Sequence, residues 1–309
     1  MRIGLTTSDA AGPAATLDAQ VREIVACEED GFESAWLNHV FGADALTVIA
    51  LAGARTSRIE LGTAVVPVYT QHPFALAQQA ATTQAAAGGR LTLGIGLSHK
   101  PVVENMWGLS YEHPARQMRE YLSVLAPLLR EGRVAHAGEL YRVAAGLQIP
   151  GTSPVPVLVA ALAPAMLRIA AELADGTVTW MAGVKTIETH VVPRINAAAE
   201  AAGRARPRVC VGLPVAVTDD VAAARAKAAK TYQIYGQLPN YRRMLDIEGA
   251  GSPGDVALVG DEAAVERQVR ALASAGVTDF SAVIFPAGGD ARASVARTRA
   301  LLKSLVGRV

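Results

Sequence analysis

The chain has 309 residues, 51% of them hydrophobic, and a formal charge of +1. That balance gives no reason to expect the clustered basic surface of nucleic-acid binding, and no uncharged apolar run approaches the roughly 20 residues of a membrane helix. The opening Met1-Arg2-Ile3-Gly4-Leu5-Thr6-Thr7-Ser8 is too short and interrupted for a signal-peptide core, so a soluble, cytoplasmic protein is expected.

Apolar, β-branched runs alternate with longer amphipathic stretches along the chain. Residues 2–7 form the first run, followed by a helix pattern over 16–30 in which Leu17, Val21, Ile24 and Val25 recur at helical spacing. Gly31 closes that helix. The second run, 33–37, ends in Asn38 and His39 before a helix over 44–55. The third, 59–66, precedes a helix over 73–87, where Pro73 suits the first turn because its missing N–H is no loss there. The fourth, 91–97, leads through Leu97, Ser98 and His99 into a long excursion over 98–114 and a helix over 115–130. Loops that long after a strand are usually functional.

A hairpin-like piece follows at 134–143. Runs at 155–161, 177–181 and 208–217 are paired with helices over 164–174, over 186–202 and from Asp219. The last run, 279–285, precedes a helix over 294–306. Eight such units predict an α/β fold of one domain, 1–309: a closed (β/α)8 TIM barrel with insertions near 98–114, 132–152 and 237–256. A doubly wound open sheet is the competing arrangement, since counting strands does not show closure. The 237–256 segment, carrying Pro239, Gly249, Gly251, Pro253 and Gly254, reads as a mobile insert or lid.

In parallel α/β proteins, ligands sit at the carboxyl ends of the strands. Gly94 and Gly96 there would let backbone approach a flat ligand, with Ser98 and His99 over the opening. His39 reads either as a group that binds a ring or moves a proton, or as a cap on the following helix. His99 reads as a proton donor or a solvated loop residue. His72 reads as a loop anchor, and His136 and His190 fall in surface-like patterns. Ala160-Ala161-Leu162-Ala163-Pro164 runs from a strand end into a proline-opened helix, so its free amides suit an anion. Trp180 reads equally as a pocket wall or as core. Cys27 and Cys210 read as core fillers, and without clustered ligands no metal is expected. Walker, HExxH and Gly-x-Ser-x-Gly motifs are absent, and Gly94-Ile95-Gly96 lacks the third glycine of a dinucleotide fingerprint.

Leu61-Gly62-Thr63-Ala64-Val65, Gln71-His72-Pro73, Gly89-Arg90-Leu91-Thr92-Leu93-Gly94-Ile95-Gly96, Val159-Ala160-Ala161 and Ala174-Asp175-Gly176 carry a family likeness. In this order and spacing the chain resembles the bacterial luciferase-like flavin and deazaflavin oxidoreductases, most closely the members that use coenzyme F-420 (F420). The resemblance implies a ring at the carboxyl ends of the strands, backed by a bulge with a non-proline cis peptide at Ala64 and Val65. It makes His39 the ring-side histidine, sets Leu97 and Ser98 beside the cofactor, and matches Ala160, Ala161, Leu162 and Ala163 to a phosphate-binding turn. Relatives often have glycines where Leu162 and Ala163 stand, and a frequent aspartate is replaced by Asn38. Sugar-phosphate-oxidising relatives have a glutamate where His99 aligns, so the resemblance leaves the proton-transfer role to His39 or His99. The implied activity is hydride transfer between F-420 and a small organic substrate, in a homodimer. The alternatives are an FMN-dependent monooxygenase supplied by a partner flavin reductase, and a non-catalytic deazaflavin-binding barrel.

Overall fold

Along each predicted strand, residues alternate between an apolar set and a smaller or polar set, and in the computed structural model this alternation becomes outside and inside. The structure describes residues 1–7 and 15–309. Ser8 of the opening segment lies outside the described residues. The strands are β1 (Arg2–Thr6), β2 (Ser34–Leu37), β3 (Glu60–Thr63), β4 (Leu91–Gly96), β5 (Val157–Ala160), β6 (Gly176–Trp180), β7 (Arg208–Val217) and β8 (Asp279–Ile284). Each pairs in parallel with the next, and β8 pairs with β1, so the barrel is closed. The open-sheet alternative is thereby excluded.

Outward residues such as Ile3, Leu5, Leu61, Leu93, Val159, Val211 and Phe280 pack under the helix layer in one continuous core. Burying an aliphatic side chain this way stabilises by about 1.5–3 kcal/mol each, so the ring of helices is held mainly by this layer. Inside the barrel, Trp36, Leu158, Val178 and Cys210 form a separate central plug, with Ala64, Val65 and Ala160 packed on it.

Below the plug, at the amino ends of the strands, lies a charged network. Arg208 donates to Asp279 (2.9 and 3.3 Å), Glu60 (2.7 Å) and Thr92 (3.1 Å), and Arg2 pairs with the same two carboxylates. Burial works against the Arg208 charge, but Asp279 and Glu60 outweigh it and raise the guanidinium pKa above its usual value.

The helix ends follow their sequence signals. Thr16 caps the helix Leu17–Glu29 by accepting from the Ala19 amide, and Gly31 adopts a positive φ just past its end. Two features depart from the expected elements. The 237–256 segment holds secondary structure, the helix Pro239–Glu248 and the turn Pro253–Val256, and the short helix Gln233–Gln237 leads into it. After it come an unforeseen strand, Leu258–Gly260, paired with the far end of β7, and the helix Glu262–Ser274. The sequence signal for that unit was weak because the strand is only three residues long. The antiparallel hairpin Arg133–Ala137 and Arg142–Gly146 is present as expected. No helix among the described residues is long and apolar enough to cross a membrane.

Candidate active site

The carboxyl end of the barrel is shaped first by a break between β3 and β4. Pairing runs Gly62 with Thr92, then resumes at Val66 with Ile95, so β3 carries one extra residue across the gap. The Thr63 hydroxyl fills in for the lost ladder: it donates to the Gly94 carbonyl and accepts from the Gly94 amide, both at 2.8 Å. The Ala64–Val65 peptide within this bulge is cis, as the resemblance implied.

Val65 leans across the end of β4. A Cβ at Gly96 would stand 2.6 Å from Val65 Cγ2 and 3.1 Å from the Ala160 side chain. Glycine at 96 therefore lets Val65 and Ala160 form one shallow apolar wall across the strand ends. Ala64, Val65 and Ala160 are half-buried, each with part of its surface open.

The turn after β5 is built with its carbonyls pinned. The Thr177 hydroxyl is within hydrogen-bond reach of the carbonyls of Val159 (2.9 Å) and Ala161 (3.3 Å). His190 reaches the Leu162 carbonyl through Nε2 at 2.8 Å. A carbonyl only accepts, so this Nε2 carries the proton. His190 is buried on the turn Ile187–Val191, which corrects its reading as a surface residue. Only the fold brings it against Leu162; nothing in its local sequence announces the contact. Ala163 then caps the helix Pro164–Leu173 without a side-chain hydrogen bond, leaving first-turn amides to a ligand or solvent.

His39 meets both of its sequence readings. Its Nδ1 accepts from the Ala45 amide at 3.3 Å, as a helix-capping group does, and lies 3.6 Å from Asp44. Burial lowers its pKa below 6.5, against a smaller opposing pull from Asp44. The neutral ring with Nδ1 accepting has its proton on Nε2, which makes that atom the donor available to a ligand. His99, at the end of β4, is also held neutral by burial. The preceding Leu97 is half-buried against the core, and Ser98 has φ +58. That left-handed conformation is uncommon for serine and turns the chain sharply out of the strand.

The structure pairs neither histidine with the other: His39 joins Asp44 and Ala45, whereas the His99 ring lies 5.6 Å from that of Tyr241. Tyr241 belongs to the 237–256 insert, which therefore contributes to the site. Glu248 ties the insert down, accepting from the Lys185 and Thr186 amides and the Thr186 hydroxyl. Trp180, at the end of β6, packs edge-on against Tyr232 and Tyr235 and against the main apolar core, an arrangement that fits both of its readings.

The other candidates are structural. His72 caps the helix Pro73–Ala86 through the Phe74 amide, as anticipated for a loop anchor. His136 is not a surface residue either: it is partly buried, 3.8 Å from Glu120. Cys27 and Cys210 are buried and free, with pKa values raised by desolvation, Cys27 to about 12. Among the described residues no cluster of three or more His, Cys, Asp or Glu could hold a metal.

A closed parallel barrel with a small-residue wall and neutral histidines at its carboxyl mouth defines a ligand-binding class of α/β barrel. The family model for luciferase-like monooxygenases matches residues 1–279, and the chain belongs to that family. An uncharacterized protein of Mycobacterium tuberculosis is 32% identical over 242 residues, covering 74% of this chain and 71% of the relative. A 5,10-methylenetetrahydromethanopterin reductase of Methanopyrus kandleri is 31% identical over 206 residues, 61% of this chain and 58% of that protein.

Among solved structures, the coenzyme F420-dependent tetrahydromethanopterin reductase from Methanopyrus kandleri superposes with a TM-score of 0.77 at 23% identity, over 99% of this chain and 96% of that one. The oxygenating constituent of 3,6-diketocamphane monooxygenase from Pseudomonas putida, in complex with FMN, gives 0.76 at 19% identity, over 100% and 97%. These superpositions show the shared fold. A further Mycobacterium tuberculosis relative, described as a putative coenzyme F420-dependent oxidoreductase, is 32% identical over 231 residues, 66% of this chain and 64% of that protein.

Proposed function

We propose that this chain is a coenzyme F-420-dependent oxidoreductase that transfers a hydride between the deazaflavin and a small organic substrate. The observation that carries this reading is the continuous cradle from Val65 across Gly96 to Ala160, running into the pinned turn of Ala161, Leu162 and Ala163. Its apolar wall fits a flat ring, and a Cβ at Gly96 would collide with that wall. The Mycobacterium tuberculosis relative described as a putative coenzyme F420-dependent oxidoreductase supports the deazaflavin branch over FMN.

When bound, a deazaflavin supplies a ring carbon that gives up or accepts a hydride. In this reading Ala64, Val65 and Ala160 back the ring, Leu97 and Ser98 border it, and the turn 160–163 with the following helix N-terminus holds an anionic tail. His39 donates a hydrogen bond from Nε2 toward the ring. His99, neutral at physiological pH, takes or returns the substrate proton. The insert carrying Tyr241 covers the mouth and excludes water. The same reading makes the protein a cytoplasmic homodimer.

Titration of the purified protein with F-420 and separately with FMN, followed by ring fluorescence, tests the proposal. Micromolar or tighter preference for F-420 is the expected result. Preference for FMN moves the protein to the reductase-supplied monooxygenases, and F-420 binding without hydride transfer across a wide substrate panel makes it a non-catalytic binding barrel. Binding of neither overturns the reading.

A further inference from the structure

The motif Gln71-His72-Pro73 carries part of the family likeness, yet the site described above uses only its helix cap. His72 opens the helix Pro73–Ala86, and Gln79 follows two helical turns on, so the position of the cap sets where Gln79 stands. Gln79 Nε2 donates to Asp44 Oδ1 at 3.1 Å, and Gln71 Nε2 reaches Gln79 Oε1 at 3.5 Å. Asp44 is itself the cap of the neighbouring helix, Ala45–Gly53, where the same Oδ1 accepts from the Thr47 amide at 2.7 Å. Its other oxygen, Oδ2, stands 3.6 Å from His39 Nδ1. A pair of glutamines thus ties two helix caps together, and the tie ends beside the His39 ring.

The donors in this chain can run in one direction only. Burial raises the Asp44 pKa, but donors from Thr47, the nearby His39 and Gln79 outweigh it and hold the group below the usual aspartate value. Asp44 is therefore a carboxylate near neutral pH and only accepts, so Gln79 must turn its amide nitrogen to Asp44 and its oxygen to Gln71. Gln71 must in turn present its own nitrogen to Gln79, since the reversed amide would set two carbonyl oxygens against each other. That leaves Gln71 Oε1 buried with no hydrogen-bond partner among the described residues, a cost of about 1–3 kcal/mol.

The consequence falls on His39. With Thr47 and Gln79 both holding Oδ1, Oδ2 stays beside Nδ1 but beyond hydrogen-bond length, and the Ala45 amide meets Nδ1 at 3.3 Å instead. The partner at Nδ1 decides which ring nitrogen carries the proton. A carboxylate free to swing in would draw that proton onto Nδ1 and leave Nε2 bare.

Resting on the oxidoreductase reading for the use made of His39, we propose that Gln79, braced by Gln71, is a positioning residue. It holds the Asp44 carboxylate back from His39 and so keeps the proton on Nε2, the atom turned toward the cofactor.

Long-range 1H–15N correlation spectra of labelled, cofactor-free protein read the tautomers of the six histidines directly. Spectra taken at about pH 7.5, where the neutral ring prevails, would be assigned for His39 with His39→Gln. The native chain is expected to show His39 protonated on Nε2 and bare on Nδ1. Gln79→Met keeps the side-chain length and removes the donor, so the Nδ1–H share of His39 is expected to rise about 3- to 10-fold, the worth of one hydrogen bond. Gln71→Met is expected to move it the same way by less. In an Asp44→Asn background, where asparagine still caps the helix, Gln79→Met is expected to change nothing further at His39, because the carboxylate it restrains is gone.

An unchanged tautomer in Gln79→Met, a shift of equal size in the Asp44→Asn background, or a native ring already protonated on Nδ1 would each overturn the proposal. F-420 titration of the same variants reads the consequence, with affinity expected to fall in proportion to the lost Nε2–H population. Unchanged affinity beside a shifted tautomer would overturn the link to the cofactor. Should the native protein bind no F-420, the oxidoreductase reading fails by itself, while the tautomer measurement still decides the role of Gln79.

Discussion

His190 Nε2 donates to the Leu162 carbonyl across 28 residues of sequence, at 2.8 Å, from a buried ring on the far side of the turn. With Thr177 holding the Ala161 carbonyl, it keeps the turn's oxygens paired with protein groups, beside the amides proposed to hold an anion. Replacing His190 by Ala frees the Leu162 carbonyl to compete for that space. The expected result is a loss of F-420 affinity of about tenfold, the worth of one hydrogen bond plus a buried acceptor left unpaired. Fluorescence titration measures it, and unchanged affinity would show that the turn holds itself.

Gly96 and Val65 offer a paired test of the cradle. Gly96→Ala puts a methyl 2.6 Å from Val65 Cγ2, so Val65 must move into the space assigned to the ring. Cofactor affinity is expected to drop more than about tenfold, while the double variant Gly96→Ala with Val65→Ala recovers most of it, a coupling of about 1 kcal/mol or more. Additive losses in the two single variants would place the ring elsewhere.

Stability should depend on Arg208. Its loss leaves Asp279, only 1% exposed, with Arg2 as its remaining cation. Arg208→Met is expected to destabilise by about 3 kcal/mol, near the lower end for breaking a buried pair because Arg2 stays in place. Urea unfolding at neutral pH reads this directly; a shift under about 0.5 kcal/mol would mean that solvent reaches the barrel floor.

His39 and His99 give the protein an acid-side sensitivity. Burial holds both below 6.5 in the folded state, whereas the unfolded chain titrates near that value. Below 6.5 the unfolded state binds more protons, so stability present at higher pH is lost as pH falls through 6.5 toward the folded-state values. The depressed carboxylates Glu28, Asp30 and Asp44 lose their contribution only at lower pH, below their ordinary values of 3.8 to 4.5. Thermal unfolding between about pH 7.5 and 5.5 therefore isolates the histidines. Tm should fall across that interval in the native chain and less steeply in His99→Gln; a flat native profile would show that neither ring is desolvated.

The Glu248 carboxylate fastens the insert through three donors of the Lys185–Thr186 turn. Glu248→Ala is expected to loosen the helices Gln233–Gln237 and Pro239–Glu248 by about 1.5–3 kcal/mol of lost charge-assisted bonding. Limited proteolysis should then cut within that insert first. Cleavage elsewhere at an unchanged rate would mean that the aromatic contacts alone hold it.

Much of this architecture was legible in the sequence. All eight barrel strands begin within two residues of their predicted starts, because a strand buried on both faces leaves a dense apolar, β-branched run between turn signals. The glycines at 94 and 96 stood out as small residues at a strand end, whereas the cis peptide at Ala64 and Val65 was expected only from the family likeness. Pro73, Gly31 and Thr16 announced their helix ends through local backbone chemistry. What the tertiary structure alone decided is a set of meetings between distant residues: His190 with Leu162, Glu248 with Thr186, Arg208 with Glu60, and the rings of Tyr232, Tyr235 and Tyr241 with Trp180 and His99. Periodicity and capping are local properties, written within a turn or two of chain. A contact across the mouth of a closed barrel depends instead on the register of every strand between, and no single segment of sequence records that.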